Sequence, residues 1–381
     1  MSNATGQRNP RPDALDNPRA RAAVERALAE LRRGAAVILM DDDGDGSAVA
    51  VAAAECARSV ADMIAETGNI PVCVIPASRA TALSLRHGET GNVALPCHGA
   101  GEMKFDPELA RAIAGLNEDP TLPASVPVTT ADQLQDTAVE LVKLARLLPA
   151  ALVARITGDP ASWARSEDAL VLRTGDIRLY RKLVDRPDSV LVAKAPVPLE
   201  GAEDAMVYAF RPVDGGKEHL AIVIGSPAKD GPVLTRLHSE CLTGDLLGSL
   251  RCDCGDQLRG SIQAIAAAGG GVLLYLAQEG RGIGLVNKLR AYRLQDEGFD
   301  TIDANERLGF DADERVYHPA AAILQSLGFN KVRLLTNNPA KVKGLSACGI
   351  EVVERVPHSF PANGHNETYL RTKAARAGHL L

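Results

Sequence analysis

Hydrophobic positions first recur at helical spacing from Pro18, where Val24, Leu28 and Leu31 share one face and Gly34 ends the run. The apolar run Ala35 to Met40 reads as a buried strand. After an acidic turn, the Ala-rich stretch from about Ser47 to Thr67 is expected to form one long helix. Pro71 to Ile75 and Ala151 to Ile156 read as strands, with a helix near Ala131 to Leu147. A Pro- and Gly-containing segment at 186–202 interrupts the pattern, and alternation then resumes. Leu220 to Gly225 and Val272 to Leu276 are predicted strands. Between them Gln257 to Ala268 forms a helix with Leu258, Ile262 and Ile265 on its apolar face. Leu285 to Glu297 carries Leu285, Leu289 and Tyr292 at helical spacing and closes on Gly298 at its C′ position. Val332 to Leu335 and Ile350 to Val353 read as strands around a short helix near Lys341. This alternation predicts an α/β chain with mixed α+β sheets. Its 381 residues suggest two domains, 18–186 and 187–381, behind a polar, Pro-rich, disordered lead-in at 1–17.

Composition narrows the function. Aromatics make up 3%, too few for base-stacking platforms, and the net charge of -6 comes without a basic run that could track a phosphate backbone. Nucleic acid is therefore not an expected partner. Any anionic ligand must be held by a local cluster of Arg and Lys. The chain has no apolar stretch of membrane-spanning length and no apolar signal core, so a cytoplasmic protein without membrane contact is expected.

Three of the seven cysteines cluster. Cys241, Cys252 and Cys254 form C-x10-C-x-C, which can bring three thiolates onto one cation. Zinc favours sulfur and nitrogen in a tetrahedron, and three protein ligands leave a position for water whose pKa falls to about 7. A closed structural site with His238 as fourth ligand is the alternative. Three unconnected thiols fit poorly with Arg251, Asp253 and Asp256 alongside.

Other candidate chemistry sits on loops leaving strands. Arg236 begins the cysteine segment, Glu279 and Arg281 lie in QEGRGIG, and Lys341 follows TNNP. Loops at the carboxyl ends of strands form the usual ligand crevice of open α/β sheets. The glycines Gly280, Gly282 and Gly284 permit close backbone approach. Neither a phosphate-binding P-loop nor a dinucleotide fingerprint is present. Asp313, Glu314 and Arg315 precede a Pro-initiated helix. Asp313 could act as a general base and Arg315 as a phosphate clamp, or the two could form a surface ion pair.

Together RLHSECLTGDLLGSLRCDCG, QEGRGIGLVNKLRAYRLQDEGFDT, LGFDADER, RLLTNNPAKV and the closing NETYLRTKAARAGHLL resemble GTP cyclohydrolase II, in family order from near Ser189 to Leu381. The resemblance implies one zinc per subunit on Cys241, Cys252 and Cys254. It implies GTP contacts by Arg236, Leu237, His238, Ser239, Glu240, Gln257, Glu279, Gly280, Arg281, Thr301, Thr336 and Lys341. Asp313 corresponds to the proton acceptor and Arg315 to the nucleophile on the α-phosphate. Tyr292 matches a tyrosine that helps the ring-opening hydrolysis finish. The implied reaction releases formate and pyrophosphate from GTP and gives 2,5-diamino-6-ribosylamino-pyrimidinone 5'-phosphate, the entry to riboflavin synthesis. Mg²⁺ would accompany the triphosphate, and the family habit is a homodimer. One departure is Ala277, where many members carry Arg.

Residues 18–186 are similar in layout to 3,4-dihydroxy-2-butanone 4-phosphate synthase, the partner domain of bifunctional relatives. The acidic turn Asp41 to Asp45 sits at that family's metal-binding turn, but the expected Arg and two Glu are missing until Glu55. The segment QLQDTAVELVKLA lacks the histidine of the second metal motif. The turn is either a surviving Mg²⁺ site or a solvated acidic turn, and the expected reading is a degenerate domain. A rebuilt synthase site, or a GTP-binding regulatory protein with structural zinc, are the alternatives.

Overall fold

The computed structural model describes residues 18–42, 47–85, 90–98, 104–184, 189–213, 215–361, 364–365, 376 and 380. Thus the lead-in at 1–17, Asp43 and Asp45 of the acidic turn, and most of the closing motif lie outside the described residues.

Among the described residues, two mixed sheets of seven strands each organise the chain. The first contains β1 (Val37–Met40), β2 (Ala48–Ala53), β3 (Val72–Pro76), β4 (Asn92–Pro96), β5 (Thr129–Thr130), β6 (Ala151–Arg155) and β7 (Val171–Arg173). Its order is β5-β4-β3-β6-β2-β1-β7, with β1 and β7 parallel and the other pairs antiparallel. Around it lie α1 (Pro18–Arg33), α2 (Ala61–Ala65), α3 (Ala77–Ala82), α4 (Pro107–Ile113), α5 (Gln133–Leu144), α6 (Pro160–Ser166) and α7 (Thr174–Val184). The second sheet contains β8 (Ser189–Pro196), β9 (Met206–Pro212), β10 (His219–Gly225), β11 (Val233–Ser239), β12 (Gly270–Leu276), β13 (Lys331–Leu335) and β14 (Glu351–Val356), in the order β14-β13-β11-β12-β10-β9-β8. Its helices are α8 (Cys254–Ala267), α9 (Leu285–Asp296), α10 (Thr301–Arg307), α11 (His318–Ser326) and α12 (Pro339–Ala347).

The expected helix at Ser47 to Thr67 is a correction. Ala48–Ala53 is instead the strand β2, hydrogen-bonded between β1 and β6 and buried at every position. A strand covered on both faces shows no alternation, and AVAVAA offers no polar position to reveal its period. A short 3₁₀ turn at Ala54–Cys56 and α2 follow. A second correction concerns α9, whose buried face is Asn287, Lys288, Ala291 and Leu294, while Leu289 is 50% exposed.

The two halves share a core. Ile283, Ala291, Leu294, Ala304, Leu308 and Phe310 pack in one apolar cluster with Ile64, Leu95, Ile113 and Leu152 of the first half. α1, α5 and α7 cover the opposite face of the first sheet. Polar ties cross the same junction: buried Arg79 donates to the carbonyls of Ile113 and Arg307, and Lys143 pairs with Glu314. The first half thus backs the helices that carry part of the cleft described next.

Asp42 of the acidic turn contributes to the fold. Asp42 accepts hydrogen bonds from the Thr174 hydroxyl (2.5 Å) and the Gly175 amide (3.0 Å), so it caps the start of α7 from a distance in sequence. Asp136, in the segment lacking the histidine, accepts from Asn92. Glu55 lies in the 3₁₀ turn rather than a helix and turns toward the second half, pairing with Arg290.

Candidate active site

Three neighbouring parallel strands, β13, β11 and β12, open their carboxyl ends onto one cleft. β11 delivers Arg236, His238 and Ser239, β12 leads into Glu279 to Arg281, and β13 leads into Thr336 to Asn338. α9 supplies Lys288, Ala291, Tyr292 and Gln295, whose spacing puts them on one helix face.

The three cysteines meet in the wall of this cleft. Their sulfurs lie within 4.8 Å of one another, and Cys241 and Cys252 are 3.7 Å apart. Zinc–sulfur bonds of about 2.3 Å in a tetrahedron place sulfurs about 3.8 Å apart, so the three thiols fit a zinc ion. Gly244 completes the cradle. A Cβ there would stand 2.7 Å from the Cys252 sulfur and 3.1 Å from that of Cys241. The Gly244 amide donates to the Cys241 sulfur at 3.3 Å, at the start of a π-type turn over Leu242–Leu246. Thiol hydrogen bonds from Cys252 and Cys254, with Lys288 nearby, hold the Cys241 thiol far below its usual range.

His238 is not arranged as a fourth ligand. Its Nε2 lies 3.0 Å from Asp245, whose carboxylate also accepts from the Tyr275 hydroxyl and the Cys241 amide. The imidazole stacks on Tyr275, and its Nδ1 is buried without a partner among the described residues. Burial lowers the His238 pKa against the opposing pull of Asp245.

Cations line the rest of the cleft. Arg236 is buried and donates to the Leu335 carbonyl and to Gln257, which in turn donates to Asp253. Burial pulls the Arg236 pKa down to about 10, which leaves it charged at neutral pH. Arg281 adopts a left-handed backbone (φ 62°), a strained conformation of the kind stored at functional sites, and its carbonyl accepts from Glu314. Lys341 is buried and donates to the Leu237 carbonyl at 2.7 Å. The Thr336 hydroxyl accepts from the Asn338 amide, and Thr301 starts α10 at the cleft edge.

Arg315 lines the cleft; Asp313 stands behind it. The Asp313 carboxylate accepts from Arg315 Nε at 2.7 Å and also from Nη2, a bidentate pair. Burial raises the Asp313 pKa, but this pairing outweighs it and holds the carboxyl below its usual range. Tyr292 lies under the Arg251 guanidinium, with its hydroxyl 3.5 Å from Thr243.

Most expected site residues therefore converge: Arg236, His238, Ser239, Glu240, Gln257, Glu279, Gly280, Arg281, Thr301, Thr336, Lys341, Tyr292, Arg315 and the three cysteines line one cleft. Leu237 does not line the cleft: its side chain points into the apolar core beneath the sheet, and its carbonyl accepts from Lys341. The strand's alternation forces this, since Arg236 and His238 take the opposite face. Ala277, the departure from the family pattern, borders a separate groove with Lys143 and Phe310 and does not line the cleft. Sequence reasoning missed Lys288, Asp245, Tyr275, Asn337 and His358. Lys288 had one signal available, a lone cation at the i, i+4 position to Tyr292 on the cleft face of α9.

The sequence profile described as GTP cyclohydrolase II matches residues 190–357. A GTP cyclohydrolase-2 from Azospirillum brasilense is 55% identical over 94% of this chain and 94% of its own length. A GTP cyclohydrolase-2 from Azotobacter vinelandii is 56% identical over 50% of this chain and 92% of its own. Among solved structures, a two domain 3,4-dihydroxy-2-butanone 4-phosphate synthase from A. baumannii aligns over 88% of this chain and 99% of its own, at 19% identity and a TM-score of 0.34. Identity of 55% across nearly the whole length, joined to a cleft that gathers the cysteines and cations on one sheet end, places this chain in the GTP cyclohydrolase II family.

Proposed function

We propose that the protein opens the imidazole ring of GTP by zinc-dependent hydrolysis and releases formate, pyrophosphate and 2,5-diamino-6-ribosylamino-pyrimidinone 5'-phosphate for riboflavin synthesis. The observation that carries this reading is the juxtaposition of three thiols at zinc spacing with four cleft cations, Arg236, Arg281, Arg315 and Lys341. The cations suit a triphosphate, with Mg²⁺ as its counterion. Cys241, Cys252 and Cys254 would hold the zinc, which supplies Lewis-acid activation of water when bound.

The chain's own groups do the rest. Arg236, Arg281 and Lys341 orient the phosphates, and Glu240, Gln257, Thr301 and Thr336 border the nucleotide. Asp313 grips Arg315 through two hydrogen bonds and is placed to take its proton. The freed guanidine nitrogen then bonds to the α-phosphorus as the bond to the pyrophosphate oxygen breaks, and water later cleaves this N–P bond, which restores Arg315 and releases the 5'-phosphate product. Tyr292, beside Thr243 and the thiols, orients the opened ring for loss of formate.

The first half is a scaffold without synthase activity in this reading. Its support is Asp42, whose carboxylate caps α7. The homodimer belongs to the same proposal, and light scattering of the purified protein reads it.

Incubation with GTP and Mg²⁺ tests the function. Formate and pyrophosphate in equal amounts are expected from wild type, with formate lost in Cys252→Ser. GTP binding without turnover by zinc-loaded protein would support the regulatory alternative.

A further inference from the structure

Lysine is almost never buried without partners, yet Lys288 on α9 is 9% exposed. Its ammonium has three donors and three acceptors within reach. Nζ lies 3.1 Å from the Cys241 sulfur, 2.9 Å from the Thr243 hydroxyl and 2.8 Å from Glu279 Oε1. These contacts leave no N–H for a phosphate, which separates Lys288 from the other cleft cations. Thr243 in turn stands 3.6 Å from the Cys241 sulfur and 3.5 Å from the Tyr292 hydroxyl. Glu279 also accepts from the Leu242 amide, next to Cys241. The ammonium therefore joins a thiol, the turn that follows it and the Glu279 loop.

We propose that Lys288 is a positioning residue of the metal centre, a buried cation that holds Cys241 in ligand geometry and offsets the negative charge of the thiolates. This rests on the zinc reading above. Three thiolates around a divalent ion leave one net negative charge, and the Glu279 carboxylate adds another beside it. A cation hydrogen-bonded to both makes that accumulation tolerable in a buried wall. The same cation sits 5.6 Å from the centre of the Tyr292 ring, so the ring's placement depends on it as well. Groups that orient a metal's ligands from outside the coordination shell typically contribute 10- to 100-fold in affinity.

Zinc affinity, measured by chelator competition on the full chain without substrate, tests this directly. Lys288→Met and Lys288→Gln are expected to bind zinc about 10- to 100-fold more weakly than wild type while keeping their far-ultraviolet circular dichroism. Lys288→Arg, which keeps the charge, recovers part of the loss. In cobalt-substituted protein the thiolate-to-metal charge-transfer band shifts in Lys288→Gln, which a merely space-filling role would not produce. Should Lys288→Met fail to fold, Lys288→Gln carries the comparison, because its amide stays polar in the same pocket while losing the charge. Affinity within twofold of wild type in the folded variants, with an unmoved band, overturns the inference and leaves the zinc reading intact. A folded wild-type chain that takes up no zinc overturns both.

Discussion

Arg290 on α9 reaches Glu55 across the junction of the two halves, with Nη1 3.2 Å from the carboxylate, which also accepts from the Leu148 amide. Both side chains are largely covered. Removing the carboxylate leaves a guanidinium and an amide short of an acceptor. Glu55→Ala should destabilise the protein by about 1–3 kcal/mol. It should also speed amide exchange along α9, the helix that carries Lys288 and Tyr292, and hydrogen–deuterium exchange reads the effect. Exchange unchanged in α9 would mean that the first half does not brace the cleft.

Gly244 has no room for a methyl group. In Gly244→Ala the new carbon would meet the Cys252 sulfur at 2.7 Å and the Cys254 Cβ at 2.9 Å. Both contacts fall on the proposed zinc ligands, so their side chains must spread. Zinc content after dialysis should fall well below one per chain, and GTP turnover should drop at least about tenfold. A variant that keeps its full zinc complement would show that the turn yields easily.

His358 is buried between Ser261 and the Gln257 carbonyl, beside the charge of Arg236, and burial with that charge pushes its pKa down to about 4. The unfolded chain binds this proton near pH 6.5, whereas the folded chain resists it until about 4. The stability difference is therefore full above the unfolded value and is lost as pH falls from about 6.5 toward 4. His358→Gln should lose less stability than wild type across that window in denaturant titrations at pH 7 and pH 5. Equal losses would place the acid sensitivity elsewhere.

Asp42 caps α7 in this account and holds no catalytic metal. Asp42→Ala should cost about 1 kcal/mol and leave GTP turnover at the wild-type rate, and neither protein is expected to convert ribulose phosphate. Conversion of ribulose phosphate by wild type, abolished in the variant, would restore the synthase reading.

The second half was legible because its chemistry is written in short runs. The C-x10-C-x-C spacing, the QEGRGIG loop and TNNP each lie at the carboxyl end of a strand, and β11, β12 and β13 bring them together. What escaped was set by tertiary context. β2 read as helix because alanine carries no face preference and burial on both sides erases alternation. Leu289 sits at helical spacing with Leu285 and Tyr292, yet it is half exposed, and α9 turns Lys288 inward to meet Cys241 and Glu279. Leu237 fell inside a run of contact residues, though a strand sends alternate side chains to opposite faces. Asp245 and Tyr275 are 30 positions apart, and nothing local joins either to His238.

Return of zinc to metal-free protein, with formate release followed at each addition, tests the central claim most directly. Activity should rise linearly, level off at one zinc per chain, and stay absent in Cys252→Ser at every zinc level. Full formate release by the metal-free protein, or by Cys252→Ser, would contradict a ring-opening site built on Cys241, Cys252 and Cys254.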